Sequence, residues 1–492
     1  MAHHVRGQHG GMNGEGTMIQ PEPLTAGTAS PELEVSDIQA TVLRPRPSPY
    51  RGEYVVLRID DAEQGREMLR RILPHVAPAA DWWVPTLPGW LGIAFTYEGL
   101  RALGLPQAAL DSFPEEFRQG MAARASILKD VGDNAPAHWE YPFGTGDMHV
   151  ALAIYARDDD GLKRVLEQAR RSHHDLPGIA VVYRLAFREL PEGRNPFGFR
   201  DGLHNPHVEG SGIPSRPDHA PSVKPGEFVL GYPDEQGQTA EGPEPELLRR
   251  NGSFVAFRKY HTNVAAFRRY LREQASTPAE EELIAAKMVG RWRSGAPLTL
   301  SPEQDDPQLG ADASRNNDFD YSGDLQGLKC PFSAHIRRVN PRDALKNELV
   351  AVNLHHFLRR GTNFGPPLPE GVLQDDGAQR GAVFLLIGAH LGRQFEFVQS
   401  QWIADGHFIN HGAEQDPLLA SGEDLGEFTI PRRPIRRRLR GLPQFIALRG
   451  GEYCFMPGLR ALKWLADGHV DGAAGARSRN ESRVHEGHVP AL

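Results

Sequence analysis

The chain has 492 residues, with 55 Lys and Arg against 63 Asp and Glu for a net charge of −8, and it is 39% apolar and 24% charged. At roughly 100–200 residues per domain this length makes about two to four domain-sized units and excludes a single small binding module. The mild acidity lacks the basic excess that gathers nucleic acid or anionic lipid, and two cysteines, Cys330 and Cys454, exclude a disulfide scaffold or a structural zinc grid.

Residues 1–37, rich in Gly, His and Pro near the start, lack the apolar content to fold alone and are expected as a disordered tail. The opening MAHHVRGQHGGMNGEGTM has no apolar export core and no twin arginine, and no window approaches the roughly 18 uncharged apolar residues of a membrane span. A cytoplasmic protein is expected.

Residues 53–59 (EYVVLRI) are β-rich, and Leu69, Ile72, Leu73 and Val76 follow at helical spacing. Thr96 is placed to cap a short helix whose Leu100 and Leu103 share a face before Gly104 stops it. A strand over 149–155 leads into a helix over 157–173, with Leu162, Val165, Leu166 and Ala169 on one face, and then a strand over 179–187. Residues 191–245 are dense in Pro and Gly, where functional loops concentrate. The alternation restarts with a strand over 253–257, a helix near 265–274, and a second helix opened by Thr277, Pro278 and Glu280, the spacing of a capping box with proline at N1. Later strands are expected over 332–339, 354–358 and 382–389, the last followed by a helix near 393–404. Two α+β halves of similar order suggest a duplicated unit, without a residue-level repeat. Residues 469–492 are polar and small, and are expected as a flexible tail.

Four segments carry residues suited to chemistry. In GFRDG, 198–202, two glycines flank Asp201 and let the backbone bend tightly, so the carboxylate projects from a rigid turn; the same dipeptide also makes ordinary turns. In CPFSAHIRRVNPR, 330–342, His335 stands alone in an apolar stretch. A neutral imidazole there ligates a metal through one nitrogen while a carboxylate or carbonyl holds the other, though a satisfied core histidine is the plainer reading. Cys330 is the rival ligand, since a thiolate also holds haem iron. In HHFLRRGTNFG, 355–365, Arg359 and Arg360 point to opposite faces if the strand runs through them, one toward a cavity and one toward solvent. In FLLIGAHLGRQFEFVQSQW, Glu396 sits between Phe395 and Phe397, placed to cap a helix or to orient a histidine.

Taken together, FGFRDGLHNP, CPFSAHIRRVNPR, HHFLRRG with the FG that follows, and RGAVFLLIGAHLGRQFEFVQSQW resemble, in that order, the dye-decolourising (DyP-type) haem peroxidases. SFPEEFRQGMAARASILKDVGD, MVGRWRSGAPL and RGGEYCFMPGLRAL extend the likeness over residues 38–467. The resemblance implies an α+β chain of two ferredoxin-like domains with antiparallel sheets and peripheral helices: residues 38–225, with the GFRDG loop, and residues 226–468, holding most of a haem b. It also implies a peroxidase that uses hydrogen peroxide to oxidise aromatic compounds and dyes through high-valent iron.

By motif matching, the resemblance implies His335 as iron ligand, Asp201 as distal acid and Arg359, the first arginine of LRRG, as distal arginine, with Arg360 its competitor. It implies Glu396 as the carboxylate orienting the histidine, with Asp405 its competitor, and Arg337, Arg338, Gly198 and Gly202 in the haem-binding set. His204 and His207 look like local variants of the distal loop. Trp402, Tyr453 and Trp464 are candidate electron relays for bulky reductants, packing being the plainer role. The basic run 432–440 reads as a solvated loop or a help to the haem propionates rather than a nucleic-acid site. A homo-oligomer is left open. A haem carrier or storage protein needs the ligand and pocket but no distal acid and arginine, so both favour an enzyme; a haem-deferrating enzyme of related fold is the alternative that an assay for free protoporphyrin discriminates. A carboxylate, with an ordinary pKa of about 3.9, stays a usable base in acid where a histidine near 6.5 is protonated, so dye oxidation is expected to have an acidic optimum.

Overall fold

Strand β1 (Arg51–Ile59) sets the pattern: Val55, Leu57 and Ile59 enter one apolar cluster and Tyr54 and Val56 another, so the sheet is covered on both faces. The structure, a computed structural model, describes residues 32–81, 89–215, 221–346, 350–407, 414–421 and 426–468. Of the expected tails over 1–37 and 469–492, residues 1–31 and 469–492 lie outside these residues. Residues 32–37 of the expected N-terminal tail are packed instead: Leu33 is buried, and Asp37 accepts from Asn251 and from the Arg460 backbone.

Helix α1 (Ala62–Ile72) follows, capped by the Asp61 carboxylate and burying Met68, Leu69 and Ile72 on its inner stripe. Then come β2 (Gly89–Phe95), β3 (Val150–Ala156), α2 (Asp159–His173) and β4 (Ile179–Arg188). Thr96 caps the short helix after β2 as expected, its hydroxyl accepting from Gly99. The second half holds β5 (Ser253–Thr262), α3 (Val264–Gln274), α4 (Pro278–Val289), the short α5 (His335–Val339), β6 (Leu358–Phe364) and β7 (Gly381–Gly388). After β7 the chain winds as π-helix over Leu391–Glu396 and Val398–Ile403, forms the hairpin β8 (Glu427–Ile430) and β9 (Arg437–Arg440), and ends in β10 (Ile446–Met456) and α6 (Leu459–Asp467). Thr277 caps α4 as its spacing predicts, but Glu280 Oε2 accepts from Ser276, one residue ahead of the expected reciprocal partner.

The main sheet has the order β4-β1-β3-β2-β10-β5-β7-β6, antiparallel throughout. Each half repeats one order: fourth strand, first, third, second. This is the ferredoxin-like βαββαβ arrangement twice over, joined where Phe95 of β2 meets Phe455 of β10. The end strands β4 and β6 return against each other, and the Tyr54 hydroxyl of β1 bonds Thr362 of β6 at 3.1 Å. The halves also share an ion pair, Arg258 to Asp130 at 2.6 and 2.7 Å, with both side chains 1% exposed.

Two expected strands are different elements. Residues 332–339 close their backbone bonds locally, Ala334 O accepting from Arg337 and Arg338, so His335 opens a helical turn instead of standing in a strand. Residues 352–355 form a 3-10 turn, and the strand starts only at Leu358.

Candidate active site

A cavity of about 1230 Å³ lies against the second half of the sheet. Strand alternation builds its floor: Ala382, Phe384 and Leu386 of β7 face the cavity, while Val383, Leu385 and Ile387 are buried in the opposite cluster. Phe395, Val398 and Gln399 of the π-helical segment, His335 of α5, and the loop around residues 189–206 complete the wall.

His335 Nδ1 is held at 2.7 Å by Asp416 Oδ2, which leaves Nε2 without a hydrogen bond among the described residues, on a side chain that lines the cavity. Asp416 is fully buried, and its other oxygen accepts the backbone N–H groups of Leu418 and Leu419. Burial opposes its charge, but the imidazole and these N–H groups outweigh it and hold the carboxyl below its ordinary range. This corrects both expected orienting carboxylates. Glu396 instead binds Arg124 on both oxygens and accepts from the Tyr453 hydroxyl, behind the wall, and the Asp405 side chain bonds His407. Cys330, the rival ligand, is fully buried, and desolvation pushes its thiol up to about 12, which disfavours a thiolate.

Asp201 stands in the wall with Oδ2 2.8 Å from Arg46 Nη2 and Oδ1 accepting from Gly202. Arg46 also donates to Gly361 O and lies 4.5 Å over the Tyr50 ring, so it ties the GFRDG turn to β6. Gly202, at φ +72°, faces this guanidinium: a Cβ there would meet Arg46 Nη2 at 3.0 Å. Gly198, at φ +89°, serves the turn itself and is not in the cavity wall.

Arg359 and Arg360 diverge, but neither is the solvent-facing arginine expected of the alternation: Arg360 is 4% exposed, and both are in the cavity wall. Arg360 is spent on carbonyls, Nε on Thr41 O at 3.0 Å and Nη2 on Val42 O at 2.6 Å. Arg359 donates to His204 O at 2.6 Å, and its backbone N–H bonds Asn205 Oδ1 at 2.8 Å, which clamps the loop after Asp201 onto the strand. Burial lowers the Arg359 guanidinium below its ordinary value, and the Asp201 charge acts against that shift. Arg337 and Arg338, expected to bind cofactor, are structural. Arg337 pairs with Asp324 and Cys330 O between the Tyr321 and Phe332 rings, and Arg338 donates to Asp405 O and Glu414 O; neither is in the wall. The run 432–440 also lies outside the wall, with Arg437 on Glu280 and Arg438 and Arg440 on Glu427. His204 lines the cavity, bonding Asn317, whereas His207 bonds Ser222 and Ile213 O away from it. Trp402 is buried against His355 and Phe397.

A family model described as the DyP dimeric alpha+beta barrel domain matches residues 37–187. The chain is 32% identical to a dye-decolourising peroxidase of Exidia glandulosa over 89% of its own length and 88% of that protein. It belongs to the dye-decolourising peroxidase family. A second relative, from Auricularia auricula-judae, is 31% identical over 90% of this chain and 89% of its own. A dye-decolourising peroxidase solved in complex with 2,6-dimethoxyphenol superposes with a TM-score of 0.79 at 28% identity, covering 88% of this chain and 100% of that one.

This member of the family carries site residues that motif reading passed over. Arg291 and Arg342 line one end of the cavity and converge on Asn317, both donating to its Oδ1. Desolvation, aided by Arg342, lowers Arg291 to about 9. Beside them His356 presents two buried ring nitrogens with no partner among the described residues, and burial together with Arg342 lowers its pKa to about 4. Arg342 and His356 lie inside quoted segments, so proximity to the motifs was their signal. Asp416, 81 positions from His335, offered only Asp-Pro followed by two leucines.

Proposed function

We propose that this chain is a peroxidase that binds haem b in the cavity, with His335 Nε2 as the iron ligand, and uses hydrogen peroxide to oxidise dyes and other aromatic reductants. The observation that carries the reading is the Asp416–His335 pair: a buried carboxylate holds Nδ1 and turns the other nitrogen to an apolar cavity. The residues present fit the group. The floor of Phe384, Leu386 and Val398 suits a macrocycle face, and Arg342, Arg291 and the unpartnered nitrogens of His356 suit its propionates.

When bound, haem supplies the iron at which peroxide is cleaved and the oxidising power passed to the reductant. Asp201 is the proton carrier: a carboxylate oxygen takes the proton from one peroxide oxygen and delivers it, directly or through water, to the departing one. Arg46 Nη2, 2.8 Å from Oδ2, fixes the orientation of the carboxylate for both tasks. Arg359 stabilises the negative charge that develops on peroxide, from a site where low dielectric strengthens it. Asn205 and His204 fix the distance between Asp201 and Arg359 by tying their segments together.

The test is the absorbance spectrum of haem-supplied protein before and after peroxide, with dye bleaching followed in the same sample. A Soret band that shifts on peroxide and recovers as dye is consumed supports the reading. A haem-loaded protein whose spectrum ignores peroxide, or which releases free protoporphyrin, rejects it.

A further inference from the structure

The Arg359 guanidinium has little to hold it: among the described residues its one acceptor is His204 O, at 2.6 Å. Like charges repel it from the arginine-lined end of the cavity, where burial first, then the charges of Arg342 and Arg359, lowers Arg291 to about 9. Where Arg359 rests is therefore decided by where the His204 carbonyl is held. That carbonyl belongs to residues 201–207, which form neither helix nor strand.

The His204 ring supplies the anchor. Its Nδ1 lies 2.8 Å from Asn317 Nδ2. Asn317 Oδ1 accepts from Arg342 Nη2 at 2.6 Å and from Arg291 Nη2 at 3.1 Å, so the amide nitrogen is the atom that faces the ring, and it can only donate. Nδ1 must accept, and the neutral ring carries its proton on Nε2. Asn317 is 2% exposed, and the arginines behind it are fixed in turn. Arg291 donates to Gly295 O and Asn316 O, Arg342 donates to Phe319 O, and both guanidinium groups lie over the Phe319 ring. A continuous row of hydrogen bonds thus runs from a buried corner, through the His204 side chain, to the residue whose carbonyl receives Arg359.

We infer that Asn317 and the His204 ring are positioning residues for Arg359: they hold the His204 carbonyl where it aims the guanidinium at an anion in the cavity. This rests on the haem-peroxidase reading above. The bond from the Arg359 backbone to Asn205 fixes the strand but leaves the guanidinium to turn about its side-chain bonds. The Asn317–His204 strut removes that latitude before peroxide arrives, so the donor need not be ordered at the moment of cleavage.

Ferric holoenzyme is titrated with fluoride at neutral pH and read by the Soret band, and the same samples are mixed with hydrogen peroxide in stopped-flow. Fluoride accepts hydrogen bonds but is not cleaved, so its affinity reports on the guanidinium apart from turnover. His204→Ala keeps the carbonyl and removes the ring. Haem retention is expected to be unchanged, with fluoride affinity and the rate of peroxide cleavage each down about 10-fold, the worth of one hydrogen bond to a charged group. His204→Asn, whose Oδ1 takes the accepting place of Nδ1, is expected to restore both. In an Arg359→Leu background His204→Ala is expected to cost nothing further, because the strut has no guanidinium left to place. Wild-type values in His204→Ala, or a His204→Asn that behaves like His204→Ala, overturn the proposal. So does the same loss recurring in the Arg359→Leu background, or loss of haem from His204→Ala, since either shows the ring serving the loop or the cofactor rather than Arg359. A wild-type Soret band that moves with fluoride but not with peroxide rejects the peroxidase reading, and the positioning role with it.

Discussion

The two halves of the sheet share one strand order but differ in what lies on them. In the first half α1 and α2 are regular helices with aspartate caps, and their apolar stripes settle directly on the sheet: Met68, Leu69 and Ile72 from one, Val165 and Ala169 from the other. In the second half the segment between β7 and β10 is π-helical, its wider turn placing Phe395, Val398 and Gln399 at the edge of open space. The long connection from α4 to β6 adds α5 and the arginine-lined end. Strand topology therefore does not make the cavity; the replacement of a close-packed crossover by irregular segments does.

Substitutions on the two halves should then fail in different ways. The largest effect is expected from His335→Ala, which removes the proposed iron ligand: haem retention, read by titration of the Soret band, and peroxide-dependent dye oxidation should fall to background. Asp416→Asn keeps the ligand but loses the charge that orients it, with an expected loss of about 10–100-fold in haem affinity or turnover. Unchanged values in both variants would place the ligand elsewhere. Asp201→Asn should bind haem normally yet slow peroxide cleavage in stopped-flow by about 10²–10⁴-fold. In the first half, Leu69→Ala should do the reverse, lowering unfolding free energy by about 2–5 kcal/mol in denaturant titration while the holoenzyme spectrum stays intact.

A sharper contrast lies within β6. Arg359→Leu removes the guanidinium proposed to meet peroxide and should slow cleavage by about 10²–10³-fold with haem retained. Arg360→Leu strips donors from Thr41 O and Val42 O and should cost about 1–3 kcal/mol of stability instead, with little change in the cleavage rate. Equal loss of haem in both variants would make Arg359 a structural residue like its neighbour.

The division between the halves also decides what could be read from the sequence. The alternation from β1 to β4 was legible because each helix carries a single apolar stripe and a capping residue. Of the residues that line the cavity, Asp201, His335 and Arg359 stood out in the sequence because they sit in segments marked by Gly, Pro or paired arginine. Partners formed by distant segments were not: Arg46 meets Asp201 across 155 positions, and Asp416 meets His335 across 81. Glu396 lay between two phenylalanines, as an orienting carboxylate would, yet the π-helical winding directs it to Arg124 and Tyr453. Residues 332–339 looked like a strand because apolar content over a short run does not distinguish strand from helical turn.

The smallest expected effect tests the border between the halves, on β10. Glu452 Oε1 accepts the N–H groups of Met121 and Tyr453, and burial of the carboxyl, outweighing these bonds, pushes its pKa from 4.5 up to about 7. The unfolded chain releases this proton near its ordinary value while the folded chain keeps it until about 7. Between the two the unfolded state binds fewer protons, so stability falls as pH rises. Below the lower value both states are protonated and no cost is felt; above the upper one the full cost remains. His356 and His390, both lowered to about 4 chiefly by burial, act in the opposite sense, adding stability as pH rises toward 6.5, so the wild-type curve mixes the two trends. A difference curve separates them. The melting temperature of Glu452→Gln, which fixes the neutral form, should gain on wild type from about pH 4.5 to 7 and then hold level. A difference that stays flat across that range would mean that the carboxyl is already ionised in the folded chain, and that β10 tolerates a charge where it joins the first half of the sheet.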